Sequence, residues 1–318
     1  MRMVGQRYQR DRHSTREPPR HHQGPGQSPP TQHHRQPAQP APERARSPRL
    51  VAAPQPRLRP LLPRGYVGFT EATTPRHLVL PATTAVPLVV KLADSPYRPP
   101  AFVMGAHGSS IVLEGDCAPS YLEVLLSPLG AYRILGLPMN QLSGHTVDLV
   151  DVLGRDGRRL TQRLRETSSW RQRFALLDQF LLKRLDRGPQ PAPEVGWAWE
   201  RLVTTGGAVP IGQLASEVGW SHKHLIARFG QQVGLGPKTA ARLVRFNRVW
   251  RRLDQARGRL DWGLVAAEVG YADQAHLVRE FRQFTGTTPT RFQARTRAAD
   301  ADDAQQVNSV QDAAAVAS

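Results

Sequence analysis

The feature that most restricts this chain is an internal repeat. Gln213-Leu214-Ala215-Ser216-Glu217-Val218-Gly219-Trp220-Ser221 is followed by Leu264-Val265-Ala266-Ala267-Glu268-Val269-Gly270-Tyr271-Ala272, so Ala215, Glu217, Val218 and Gly219 recur 51 residues later as Ala266, Glu268, Val269 and Gly270. In each copy a short helix containing a small Ala ends at Gly plus an aromatic residue. A second helix follows with an apolar ladder, Leu225 and Phe229 in one copy, Leu277 and Phe281 in the other. Each ladder closes at a further glycine shortly before a proline, Gly234 to Pro237 and Gly286 to Pro289.

A short helix, a tight Gly turn and a second amphipathic helix make a helix-turn-helix unit, whose second helix turns its outer face toward the major groove. The Ala lets the two helices approach closely. With Leu225 and Phe229 inward, His222, Lys223 and Ala227 are expected outward; with Leu277 and Phe281 inward, Gln274, Arg279 and Arg282 are. Gln suits adenine and Arg suits guanine through two-pronged hydrogen bonding, whereas Lys serves a base or a phosphate. Between the units, Pro237 to about Arg257 is expected to form one helix, with Ala240, Leu243, Val244, Asn247, Trp250 and Leu253 on one side and Arg242, Arg245, Arg248, Arg251 and Arg252 elsewhere. Such a helix of about 21 residues spans roughly 31 Å, near the roughly 34 Å between successive major grooves on one side of B-DNA.

The charge distribution supports a polyanionic partner. The 318 residues carry 43 Lys and Arg against 26 Asp and Glu, a formal charge of +17. Residues 1–64 hold 13 of those bases, three acids and 13 of the 28 prolines, a composition expected to give a disordered basic arm. Its pairs His21–His22 and His33–His34 read as solvated sequence in preference to metal ligands. Residues 65–190 are nearly neutral, 191–297 carry 16 bases against eight acids, and 298–318, with four Asp and no base, are expected to be a frayed acidic tail. One cysteine excludes a disulfide framework and multi-cysteine zinc sites. No apolar run approaches the roughly 18 residues a membrane span requires, and the amino terminus has no signal-peptide core, so a cytoplasmic protein without membrane partners is expected.

The middle region opens with short strand-like runs at 66–70, 77–80, 86–92, 101–107, 109–113 and 121–126, divided by Pro and Gly, which imply a small antiparallel sheet or barrel. A helix over 129–135, a strand or turn through 147–152, and a polar turn at Gly154-Arg155-Asp156-Gly157 follow, then two helices. In the second of these, Trp170, Phe174, Leu177, Leu181 and Leu185 share a face that packs on the domain core or on a second subunit. The domains expected are therefore 65–187, β-rich with trailing helices; a linker over 188–196; and an all-α domain over 197–297, an α+β chain overall. His107, His145, Glu114, Asp116 and Cys117 match no metal, nucleophile or phosphate-loop spacing, so no catalytic residue, metal or cofactor is expected. His107 and His145 read as a strand-end and a loop residue that could line a ligand pocket.

The carboxy-terminal residues resemble the AraC/XylS family of transcription regulators over about Trp199 to Arg295, most specifically in Gly270-Tyr271-Ala272-Asp273-Gln274-Ala275-His276-Leu277-Val278-Arg279-Glu280-Phe281-Arg282, followed by Phe284-Thr285-Gly286, Thr288-Pro289 and Arg291-Phe292. The resemblance implies two helix-turn-helix units joined by a long helix, with Gln274, Ala275 and Arg279 where the family reads bases in the second unit and Lys223, Ile226 and Ala227 in the first. It departs at Ala227-Arg228, where an Arg commonly precedes an apolar residue. The first helix would then lean on His222, Lys223 and phosphate contacts, with Arg228 a further candidate. Double-stranded DNA is the implied partner, joined by RNA polymerase, a small-molecule effector and a second copy of the chain acting through the amino-terminal domain. Two other readings stand beside it: a non-specific basic nucleic-acid binder, which charge alone supports, and an enzyme domain fused to a DNA-binding module. A repair methyltransferase of that kind needs several cysteines, and this chain has one.

Overall fold

The computed structural model describes residues 50–69, 77–95, 98–114, 120–256 and 258–294. The paired histidines of the arm, Asp116, Cys117 and the acidic tail lie outside those residues, as does the arm itself as far as residue 49. The amino-terminal half is built on strands β1 (Leu50–Ala52), β2 (Tyr66–Phe69), β3 (His77–Leu80), β4 (Val86–Lys91), β5 (Ala101–Met104), β6 (Ile111–Glu114), β7 (Tyr121–Leu126) and β8 (Thr146–Asp148). Six of them form one antiparallel sheet in the order β1-β2-β7-β4-β5-β8, and β3 pairs with β6 separately. Six strands stand where the Pro and Gly punctuation places them, while β1 falls within the segment expected to be disordered.

That segment is corrected over residues 50–64. β1 pairs with β2, a 3₁₀ turn at Pro56–Leu58 follows, and Leu58 and Leu62 are fully buried in the main core. The prolines that lowered the mean hydropathy there shape a tight turn that drives two leucines inward.

Alternation along β7 sorts the sheet's two faces. Leu122, Val124 and Leu126 point to the helices, whereas Tyr121 joins Val89, Phe102 and Met104 on the opposite face. The helical layer comprises α1 (Pro128–Leu135), α2 (Leu149–Leu153), α3 (Arg155–Glu166) and α4 (Trp170–Arg187). The polar turn expected at 154–157 is thus only Gly154, with Arg155–Gly157 in the first turn of α3. The apolar stripe of α4 packs on the domain core: Leu177, Leu181 and Leu185 are buried, and the Phe174 ring stacks on Tyr66 at 5.6 Å. Gly68 allows this approach, since a Cβ there would sit 2.3 Å from the Trp170 ring. The Tyr66 hydroxyl donates to Asp178 at 2.7 Å, and burial together with that carboxylate pushes the phenol far above its ordinary range.

The carboxy-terminal half holds α5 (Pro193–Thr204), α6 (Ile211–Glu217), α7 (His222–Val233), α8 (Pro237–Gln255), α9 (Trp262–Val269) and α10 (Gln274–Thr285). The connection expected over 188–196 is shorter, because α5 begins at Pro193 and sends Val195, Ala198 and Leu202 into the first unit's core. α8 serves two cores at once: Ala240 and Ala241 pack with Leu225 and Phe229, and Leu243, Phe246 and Val249 pack with Leu277 and Phe281. Its buried surface is consequently wider than the single stripe expected. Phe246 and Val249 belong to that surface, and Asn247 is exposed.

An ion pair fastens α10 to α8. The Arg242 guanidinium donates to Glu280, which is 3% exposed, and to Gln283, and it lies 5.0 Å from the Phe284 ring. Tyr271 is buried beside it; burial first, then the Glu280 charge, pushes its phenol far above the ordinary range. Removing one member of a buried pair strands the other. Glu280→Ala should therefore destabilise this half by about 2 kcal/mol, below the upper end for buried pairs because Arg242 can turn to water. An unchanged urea midpoint for the full chain would show that the pair is not a tie.

Candidate nucleic-acid interface

The repeat in sequence is a repeat in hydrogen bonding. In the first unit the Trp220 N–H donates to the Ala215 carbonyl at 2.9 Å; in the second, Tyr271 N–H donates to the Ala266 carbonyl at 2.9 Å. Both turns pass through glycine in the left-handed region, Gly219 at φ 71° and Gly270 at φ 88°, where a Cβ would be strained. Ala215 and Ala266 are buried between the paired helices. The second turn is one residue longer, so the offset between copies steps from 51 to 52 beyond Ala272: His224 corresponds to His276, and Phe229 to Phe281.

The second helix of each unit opens with a side-chain cap. Ser221 accepts from His224 N–H at 3.2 Å, and Asp273 accepts from His276 N–H at 2.6 Å. The turn aromatics pack edge-on against those histidines, Trp220 on His224 at 4.5 Å and Tyr271 on His276 at 5.2 Å. Sequence reasoning passed over both caps and His224; the signal was a Ser or Asp three residues before a histidine at a helix start.

The burial pattern divides the candidate residues. His222, Lys223 and Ala227 are exposed on α7, and Gln274, Ala275, Arg279 and Arg282 are exposed on α10, while Leu225, Phe229, Leu277 and Phe281 are buried beneath them. Exposed His224 and Ile226 extend the face of α7. Arg228 stands apart: it is half-buried and donates to Gln231 at 2.6 Å. Among the described residues Lys223, Arg279 and Arg282 make no ion pair, which leaves their charge open to an anion.

The arginines of α8 are mostly occupied. Arg248 donates to the carbonyls of Glu268 and Val269 at the end of α9, Arg245 donates to Gly207, and Arg252 pairs with Glu268. These guanidiniums satisfy helix-end and loop carbonyls that lack partners of their own. They hold the two units in place, while Lys223, Arg279 and Arg282 on α7 and α10 keep their charge open, as do exposed Lys238, Arg251, Arg259 and Arg291.

The residues singled out in the amino-terminal half fall on different elements. His107 is buried, His145 is exposed on a loop, and Glu114 ends β6. Among the described residues no group of three or more His, Cys, Asp or Glu side chains could hold a metal, and no helix is long and apolar enough to cross a membrane.

A helix-turn-helix domain model matches residues 214–295, the span that holds both turns and both exposed helices. No curated protein matches the chain significantly. Among solved structures, the carboxy-terminal domain of AraT, a response regulator from Geobacillus stearothermophilus, is similar at 17% identity and a TM-score of 0.31, covering 34% of this chain and 88% of that one. ToxT from Vibrio cholerae O395 is similar at 11% identity and a TM-score of 0.37, covering 72% of this chain and 95% of that one. The fatty-acid-bound form of ToxT from strain SCE256 gives 10% identity and a TM-score of 0.40, with 72% and 93% covered. These are distant likenesses, and the weight rests on the residues themselves. The matched domain and the duplicated capped turns make residues 214–295 a DNA-binding helix-turn-helix domain of the kind transcription regulators carry, and the signature running from Gly270 to Phe292 resembles that of the AraC/XylS type.

Proposed function

We propose that the protein binds a specific promoter sequence by placing α7 and α10 in successive major grooves on one side of the duplex. The supporting observation is the two-sidedness of these helices: an apolar ladder locked in a core, and opposite it an exposed face that makes no ion pair among the described residues. At 19 residues α8 is about 28 Å long, which suits a separation of one helical turn of DNA. Gln274, Ala275 and Arg279 would meet base edges from α10. On α7, His222 and Lys223 would act with the small surface of Ala227, and Arg228, held by Gln231, would be confined to the backbone.

The amino-terminal domain is assigned the regulatory part, taking up a small effector or a second copy of the chain and acting on RNA polymerase through the bound protein. A cavity of about 470 Å³ flanked by Pro100, Ala101, Val150, Arg158 and Arg165 has the size of a small-ligand site. An enzyme domain fused to a DNA reader finds no catalytic constellation among the residues that can be placed. A purely electrostatic binder has no use for two matched, capped helices.

Selection of bound duplexes from a random pool tests the proposal: it should return two conserved blocks about 10 base pairs apart. Recovery of sequences without a shared motif would leave only electrostatic binding. Arg279→Ala should cost about 1–3 kcal/mol on the selected site and little on random DNA; equal losses on both would remove Arg279 from base reading. The arm is tested by deletion up to residue 49, since Leu58 and Leu62 belong to the core. That piece carries ten Arg against three acids, and its loss should weaken binding to any duplex and flatten the salt dependence. A salt slope that does not change would keep the arm off DNA.

A further inference from the structure

The last carbonyls of α10 have no partner within their own helix, nor does that of the residue capping α7, and the amino-terminal domain supplies donors at both places. Ala82 N–H donates to the Phe284 carbonyl at 2.7 Å and Ser110 N–H to the Gln283 carbonyl at 3.0 Å, both at the end of α10. The Ser143 hydroxyl donates to the carbonyl of Gly234, the residue that caps α7. The three donors sit on three different loops, around residues 81–83, 105–110 and 139–145.

Those loops form one hydrogen-bonded lattice. Thr83 and His107 exchange backbone bonds at 3.0 and 2.9 Å, Gly105 N–H donates to the His145 carbonyl at 3.0 Å, and Gly144 N–H donates to the Ala106 carbonyl at 3.0 Å. His107 sits inside it, with Nε2 3.0 Å from the Pro81 carbonyl and Nδ1 3.2 Å from that of Gly105. With the proton on Nε2 the ring donates to the Pro81 carbonyl and braces the loop that aims Ala82. The lattice is also tight: a Cβ on Gly105 would lie 1.8 Å from the Leu142 carbonyl oxygen, and one on Gly108 would lie 2.8 Å from Thr239 at the start of α8. Ala82 is buried in the second unit's core and Leu129 packs against the first.

We propose that this lattice is the template that sets the angle and separation of α7 and α10, so that the amino-terminal domain, together with α8, determines the spacing of the two blocks in the DNA site. The inference rests on the reading of α7 and α10 as DNA-contacting helices. The geometry suits it: each helix is gripped at its carboxy-terminal end, and the exposed His222, Lys223, Gln274, Ala275 and Arg279 lie in the amino-terminal halves, which HTH proteins insert. A small tilt at the gripped end therefore moves the reading end. His107 is in this view a positioning residue.

The test uses the full chain in two arms. In the first, spin labels are placed through Ala227→Cys and Ala275→Cys in a Cys117→Ser background, and their separation is measured without DNA. The parent should give one narrow distance distribution. Gly105→Val, which drives a side chain into the Leu142 carbonyl, should broaden or shift it, and Ser143→Ala should do so to a lesser degree. Should Gly105→Val fail to fold, Ser143→Ala combined with Gly108→Val opens the same lattice at both ends. An unchanged distribution in a folded variant overturns the proposal. In the second arm, unlabelled chains bind the selected site and the same site with two base pairs inserted between its blocks. The parent should lose roughly tenfold or more on insertion because its two helices act as linked binders. The loosened variant should lose markedly less, and an equal loss overturns the spacing claim. A chain that selects no site refutes the DNA reading and the spacing claim with it, while the label distances still decide whether the lattice holds the helices.

Discussion

Every exposed candidate on α7 and α10 depends on a pair of aromatic anchors on the reverse side of its helix. Phe229 and Phe281 are fully buried, each in its own core, and α8 contributes to both cores. A fully buried side chain of this size contributes roughly 1.5–3 kcal/mol. In the second core Phe246 packs against Phe281 and Phe284 at 5.4 and 5.1 Å in edge-to-face geometry. That packing fixes the rotation of each helix about its axis. Rotation, in turn, decides which residues water sees and which a duplex could meet.

Around these anchors, charge serves two purposes that composition cannot separate. Arg248 of α8 replaces missing backbone partners at the end of α9, and Arg242 pairs with Glu280. Lys223, Arg279 and Arg282 are exposed and make no ion pair among the described residues. A net positive domain can thus be basic partly for structural reasons and still present open charge on both helices. The same division holds in the amino-terminal half, where Arg184 donates to the carbonyls of Ile134 and Leu135 at the end of α1.

Much of the fold is legible in the sequence where a local rule acts alone. Six strands, α1, α4 and the four helices of the two units announce themselves through period and punctuation, because the backbone preferences of Pro, Gly and β-branched residues operate over a few neighbours. The failures occur where a distant partner decides. The 50–64 segment has the composition of a solvated arm, yet Asp178 on α4 accepts from Gln55 N–H and from Tyr66, and the leucines find a core made of residues far along the chain. Asn247 was assigned to a buried stripe and Phe246 was not, because a helix packed on two sides has no single apolar face. His107 reads in the sequence as a strand-end residue, and only the fold shows that its ring is flanked by two carbonyls from different loops.

By itself the sequence determines that there are two copies of one turn. A left-handed glycine, a small residue beside it and an apolar ladder after it leave the local chain no comparable alternative, and the outward residues follow from helical period. Which outward charges stay open, and how the two copies are aimed, is decided only in three dimensions. Ion pairs such as Arg242–Glu280 and donors such as Ala82 and Ser110 come from segments 38 to more than 170 residues away. No local rule can reach across such a separation, because the contacts form only after the chain has packed.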